Sequence, residues 1–339
     1  MRTPAILLLT ILSLVNTPAF AGVLDEISHR DKIYDIHVQG DEVFVVGYPG
    51  LLLHSKDRGQ TWERLDPGVR DALFAIDINE KGRGLIVGRT GLVLMTTDGG
   101  KTWAKRDSGA KEHLFCVDIT ESGKAWAVGH FGTILHSPDG GLSWKPQEFQ
   151  PEFPEGTPEA ERGVISDAEK ENEGAAAEAR LNAVGFADDQ RGWIVGEFGL
   201  VLHTADGGQT WKRQPSASGK LLFALHVLDE KRLLAAGSEG SLMETQDGGR
   251  IWKPIDAGTG LHILGLFPQG DDLYLVGREG MILARRGGED SFQPQKCGLY
   301  TWLMTVGFLD PQVGFVAGGR GFLLKTTDAG KSWQRLSGR

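Results

Sequence analysis

Short apolar runs alternate with glycine-rich turns along the chain, always in the same order. Leu73-Phe74-Ala75-Ile76-Asp77-Ile78 is apolar enough to be buried on both faces and predicts an inner strand. Asn79 to Arg83 predict a turn, and Gly84 to Gly88 a second strand. Gly88-Arg89-Thr90-Gly91 predicts a two-residue hairpin connection, after which Leu92 to Met95 return. Thr96 to Gly100 turn again, and Thr102 to Arg106 predict an outer strand.

The unit then repeats. Gly47, Gly88, Gly129, Gly196, Gly237, Gly277 and Gly318 hold one register, spaced by 41, 41, 67, 41, 40 and 41 residues. Four strands in every ~40 residues are the signature of a β-propeller blade, so the reading is all-β: a seven-bladed β-propeller over residues 22–339. The long interval places an acidic insertion at residues 148–180, between blades 3 and 4.

The turn before each outer strand has the form Ser/Thr-x-Asp-x-Gly-x-Thr/Ser-Trp. Its aspartate and tryptophan are Asp57 and Trp62, Asp98 and Trp103, Asp139 and Trp144, Asp206 and Trp211, Asp247 and Trp252, and Asp328 and Trp333. In the fifth copy Ile251 replaces the second hydroxyl residue, and blade 6 keeps only an aromatic, Phe292. An aspartate can accept the N–H groups of its own turn, glycine permits positive φ, and the tryptophan should fill the gap between sheets. Copies spread around a ring cannot converge on one substrate, so these residues read as structural.

Composition narrows the function. The 48 glycines in 339 residues are about twice the average share and fit many tight turns. A net charge of −9 argues against a nucleic-acid partner. The 2 cysteines, Cys116 and Cys297, fall on distant blades, so neither a disulfide nor a thiolate metal site is expected. His54, His136 and His203 recur at one strand position and read as structural, while His113 and His130 lack a third ligand. No metal and no cofactor are expected. Residues 1–21 combine Arg2, an apolar stretch from Ile6 to Val15 and the small-x-small site Ala19-Phe20-Ala21. They predict a cleaved secretory signal, a mature start near Gly22 and a periplasmic location.

The turn motif is the Asp-box, or bacterial-neuraminidase repeat. Seven blades, each with Val/Ala-Gly-x-x-Gly and six of them followed by the box, behind a leader, resemble the photosystem II assembly/stability factor family across nearly all of residues 22–339. The resemblance implies a non-enzymatic propeller that assists assembly of membrane protein complexes. It also points to relatives in bacteria without photosystem II, some associated with exporters of the resistance-nodulation-division (RND) type. The chain has neither a lipobox cysteine nor a twin-arginine signal, which sets it apart from the phototroph pattern.

Strand order puts the Gly-x-x-Gly hairpins and the connections between blades on one face and the Asp-box turns on the other. Variation within a repeated frame marks the hairpins as a partner surface. The candidates are Tyr48, Arg89, His130, Phe131, Glu197, Phe198, Glu239, Arg278, Glu279 and Arg320, with the three arginines as anchors for acidic groups. The insertion carries ten acidic and three basic residues, and Ala168 to Arg180 could form a short helix. Its sharper readings are a flap over the ring's opening or an acidic contact for a basic partner, against a solvated excursion without function. The function expected is a scaffold or assembly factor for an inner-membrane complex, an RND-type transporter or a photosystem-like assembly, with the protein peripheral to the membrane through that partner and monomeric unless bound. The alternative is a sialidase-like glycoside hydrolase, disfavoured because no Tyr–Glu pair is evident and the early Arg-Ile-Pro motif is absent.

Overall fold

In the computed structural model, residues 22–167 and 175–338 are described. The predicted leader, residues 1–21, and part of the predicted helix, residues 168–174, lie outside them; what is described of that helix is a 3-10 turn at Ala175–Glu178. Seven antiparallel sheets, each from one continuous stretch of chain, form the blades of the propeller. In blade 2 the strands are Leu73–Ile78, Gly84–Gly88, Val93–Thr96 and Ala104–Arg106, paired in that order. Second and third strands are the most deeply buried parts, because each sheet is covered on both sides by its neighbours. The core is therefore divided into clusters lying between blades, such as Phe44, Val46 and Leu52 of blade 1 against Ile76, Ile86 and Leu94 of blade 2.

No sheet combines the first and last strands of the chain; the ring closes by side-chain packing and polar contacts between blades 7 and 1. Trp62 of blade 1 meets Phe315 of blade 7 edge-on, with ring centroids 6.0 Å apart. Arg58 pairs with Asp310, and Lys325 Nζ donates to the Arg58 carbonyl at 2.6 Å. The 3-10 turn Val23–Glu26 adds Leu24 to the same cluster.

The Asp-boxes show why their sequence is fixed. In blade 2, Thr96 Oγ1 donates to Asp98 Oδ1 at 2.7 Å and accepts the Gly100 N–H at 3.0 Å. Asp98 also accepts the Thr102 N–H at 3.0 Å and the Thr102 hydroxyl at 2.6 Å. These donors hold the Asp98 carboxyl down at about 2. Trp211 and Trp252 are buried, whereas Trp62, Trp103, Trp144 and Trp333 are half-buried, so complete burial of every box tryptophan is not what the fold provides. Blade 6 solves the problem differently: Phe292 fills the aromatic slot, and Arg286 reaches Asp272 at 2.8 Å and the Ala329 carbonyl of blade 7.

The insertion is not a flap in its described part. Phe149-Gln150 adds a fifth strand, parallel to Trp211-Lys212, on the outer edge of blade 4. The chain then reaches the connection between blades 4 and 5, where Val164 N–H donates to the Ser216 carbonyl at 2.8 Å. Open backbone groups at a sheet edge favour such an added strand, which is what draws the segment to the perimeter.

Candidate functional site

Both glycines of each hairpin are needed for close approach. A Cβ on Gly88 would lie 2.1 Å from the Ala72 carbonyl, and one on Gly91 would lie 2.0 Å from the Ala110 carbonyl. The hairpins are thus clamped onto the inter-blade connections, and the two share a face: Arg89 N–H donates to Ala72 O, and Gly91 N–H to Glu112 O. In six of the seven hairpins the chain reverses in a tight turn, closed in blade 2 by the Leu92 N–H donating to the Arg89 carbonyl at 3.2 Å, with Thr90 and Gly91 both in the left-handed region. Its second residue takes positive φ at Thr90, Phe131, Phe198, Glu239, Glu279 and Arg320. Five of these six side chains are exposed, and Phe198 is half-buried. In blade 1 the corresponding peptide, Tyr48-Pro49, is cis.

The predicted partner residues differ in what they offer. Arg89, Arg278, Glu279 and Arg320 are exposed, and no hydrogen bond or ion pair of their side chains is found among the described residues. Phe131 is 65% exposed and Tyr48 41%. Glu197 instead pairs with Arg180 at 3.2 Å, and Glu239 with Lys220, so both carboxylates are already engaged. Phe198 packs against the cluster of blades 3 and 4 and serves partly as core.

The residues that sequence reasoning missed line the channel. Every inner strand shifts register at the same point, between Leu73 and Ala75 in blade 2, for example, or Ile33 and Asp35 in blade 1. The residue left out of the ladder is Tyr34, Phe74, Phe115, Asn182, Phe223, Leu264 or Met304. A bulge re-aims a side chain, and all seven line one cavity of about 220 Å3 in the axis of the ring. The signal in the sequence is a break of the two-residue period: Leu73-Phe74 and Leu114-Phe115 put two large apolar residues in succession before a small one.

These rings connect to the hairpin face as one aromatic arc across blades 7, 1, 2 and 3. Trp302 stacks on Tyr34 at 6.0 Å, Tyr34 meets Phe74 at 5.2 Å, and Phe74 meets Phe115 at 5.6 Å. Phe115 abuts His130 at 4.6 Å; His130 in turn stacks on His113 at 5.2 Å and touches Phe131 at 5.6 Å. Burial, helped by His113 and Arg180, pushes the His130 imidazole below its usual range, so at neutral pH it is an uncharged aromatic surface. The Arg180 guanidinium lies 5.9 Å from the Phe115 ring centre.

Four groups on the inner strands are half-buried, with their ionised forms disfavoured. Burial pushes the Cys116 thiol up to about 12 and Asp35 up to about 6, raises Asp118 well above the carboxylate range, and lowers His226 to about 4. Cys116 and Cys297 are both free thiols. Among the described residues no group of three His, Cys, Asp or Glu side chains stands where it could share a metal ion.

Fold and site together define a seven-bladed Asp-box propeller with an aromatic channel mouth inside a face of exposed hairpins. The sequence matches the family model described as photosynthesis system II assembly factor YCF48 over residues 23–70, 65–166 and 159–253, and the chain belongs to that family. YCF48 from Cyanidioschyzon merolae superposes with a TM-score of 0.66 at 20% identity, over 88% of this chain and 95% of that one. A structure of YCF48 bound to D1 peptide gives 0.65 at 19%, over 90% of this chain and 95% of that one. A GH74 xyloglucanase from Xanthomonas campestris shares the fold at 0.69 and 11% identity, covering 92% of this chain but 55% of the enzyme. No curated protein sequence matches the chain.

Proposed function

We propose that this protein is a non-enzymatic assembly or accessory factor that captures a polypeptide segment of a membrane protein on its hairpin face. The observation that carries the reading is the aromatic arc from Trp302 to Phe131, with Arg89, Arg278 and Arg320 unengaged on the same face. Apolar rings beside free guanidinium groups suit a peptide with a bulky apolar residue and acidic neighbours. A family relative that binds a D1 peptide supports a membrane-protein partner. An RND-type transporter, an exported protein cleaved near Gly22, a periplasmic location and a monomeric free state are the finer parts of this proposal.

A hydrolase is the weaker reading. The Asp-box carboxylates are spent on their own turns, Glu197 and Glu239 are ion-paired, and the Cys116 thiol stays protonated. Capture of membrane proteins from detergent extracts by the full chain, compared with the Arg89→Ala/Arg278→Ala/Arg320→Ala and Phe74→Ala/Phe115→Ala variants, tests the proposal. Loss of one and the same membrane protein from both variants supports it; equal recovery from all three overturns it, as does arginine-dependent hydrolysis of fluorogenic glycosides.

A further inference from the structure

Two departures from the repeat meet on the perimeter of the propeller. One is the insertion; the other is Ile251, which stands where the other boxes place Thr61, Thr102, Ser143, Thr210 and Ser332. Those hydroxyls donate to their aspartates at 2.6–2.7 Å. Ile251 forgoes that bond and leaves an aliphatic side chain 62% exposed. The Asp247 turn gains nothing from the exchange.

Ile251 borders a groove of about 760 Å3 between blades 4 and 5. Trp252 lies beside it, and Phe153 of the insertion faces it across the groove, its ring held 4.4 Å from the Arg213 guanidinium. Arg250 lines the blade side, exposed and with no side-chain hydrogen bond or ion pair among the described residues. On the insertion, Glu152, Glu155 and Glu159 adjoin the lining residues Phe153, Pro154 and Ala160; all three are exposed, with no side-chain hydrogen bond or ion pair found among the described residues, while Arg162 and Arg213 stand by the Phe153 ring. The chain also shows what a blade edge accepts. Phe149-Gln150 lies in parallel on the edge of blade 4 and packs Phe149 into the cluster that holds Trp211. Among the described residues, the outer strand of blade 5, Lys253-Pro254, carries no such fifth strand.

We propose that this groove is a second docking site, separate from the channel mouth. It takes an extended segment of a partner protein whose bulky apolar residue has a carboxylate on one side and an ammonium group on the other. The apolar residue packs on Ile251, Trp252 and Phe153, the carboxylate meets Arg250, and the ammonium meets the glutamates of the insertion. Arg250 on the blade side and the glutamates next to the lining residues of the insertion favour this pairing over a segment with acids on both flanks.

The test is fluorescence anisotropy with the full chain and a labelled heptapeptide, Gly-Glu-Ser-Phe-Ser-Lys-Gly, which in an extended conformation puts Glu, Phe and Lys on one face. Companion probes replace Phe by Ala, or Glu and Lys by Gln. The first probe is expected to bind at least about tenfold more tightly than the Ala probe and about threefold more tightly than the Gln probe. Ile251→Thr, which restores the residue of the other boxes and so leaves folding intact, should weaken binding about tenfold, and Arg250→Ala about threefold. Arg320→Ala on the hairpin face should leave it unchanged. No saturable binding up to about 1 mM, equal binding of the Phe and Ala probes, or wild-type binding by Ile251→Thr overturns the proposal. A loss seen only in Arg320→Ala assigns the peptide to the channel mouth and overturns it too, whatever becomes of the assembly-factor reading.

Discussion

The carboxylate of Asp35, on the inner strand of blade 1, accepts the backbone N–H of Ile76 in blade 2 at 3.1 Å. It also accepts the Thr305 hydroxyl of blade 7 at 3.3 Å and the N–H of Ile36 at 2.8 Å. One side chain thus ties together three blades beside the seam where the ring closes. Asp77 repeats the device one blade on, taking the Ile119 N–H at 2.8 Å.

This linkage makes stability depend on pH in a predictable direction. Burial raises Asp35 from 3.8 to about 6, so the folded chain holds that proton more tightly than the unfolded one. Its contribution is fully present below pH ~4 and is lost as pH rises through 6, at most about 3 kcal/mol. Asp35→Asn should flatten the decline in Tm between pH 4 and 7 relative to wild type. Parallel slopes for the two proteins in thermal melts would refute the assignment.

The Asp-boxes carry the opposite sign. Asp98 and Asp328 are held at about 2 by hydroxyl and backbone donors, so what they contribute is present above pH ~4 and vanishes as pH falls through 2. The difference in urea midpoint between wild type and Asp98→Asn should therefore shrink on acidification from pH 5 to 2.5. A difference that does not change with pH would mean the carboxylate charge plays no part in the turn.

Ile251→Thr should stabilise the protein. It restores the hydroxyl that donates to the box aspartate in the other copies, worth about 0.5–1.5 kcal/mol, and removes an exposed aliphatic group. The reverse exchange, Thr102→Ile, should cost a similar amount. Equilibrium unfolding of both variants reads the two signs.

Burial separates the tryptophans. Trp211, 1% exposed with its indole N–H donating to Gln147 at 3.0 Å, should cost about 3–5 kcal/mol on change to alanine. Trp62, half-buried against Phe315, should cost clearly less. Equal losses would show that the ring seam is as tightly packed as the blade 3–4 boundary.

At the channel mouth, Arg89→Ala and Arg320→Ala should leave Tm within about 1 °C, since exposed, unengaged side chains contribute little to folding, yet reduce partner capture. A fall in both stability and capture would assign these arginines to the fold.

Repetition made the architecture legible. The register of Gly47 through Gly318 counts the blades, and the Asp-box spacing marks the turns, because each blade must meet identical neighbours and so keeps identical solutions. The hairpin residues were visible as variation inside that frame. What they do was not: the sequence does not show that Glu197 and Glu239 are neutralised by Arg180 and Lys220, which belong to the inter-blade connections beside their hairpins. The insertion's course was hidden too, since acidity and proline predict a solvated excursion, while the open edge of blade 4 captured Phe149-Gln150.

By itself, then, the sequence determined the blade number, the boxes and the face on which variation collects, all properties of local spacing. The tertiary structure decided what lies in the axis. A bulge repeated in every inner strand turns Tyr34, Phe74, Phe115 and Phe223 inward to one cavity, and only the closed ring brings residues from distant repeats within contact. Convergence of that kind is a matter of geometry between blades, which no local pattern of residues encodes.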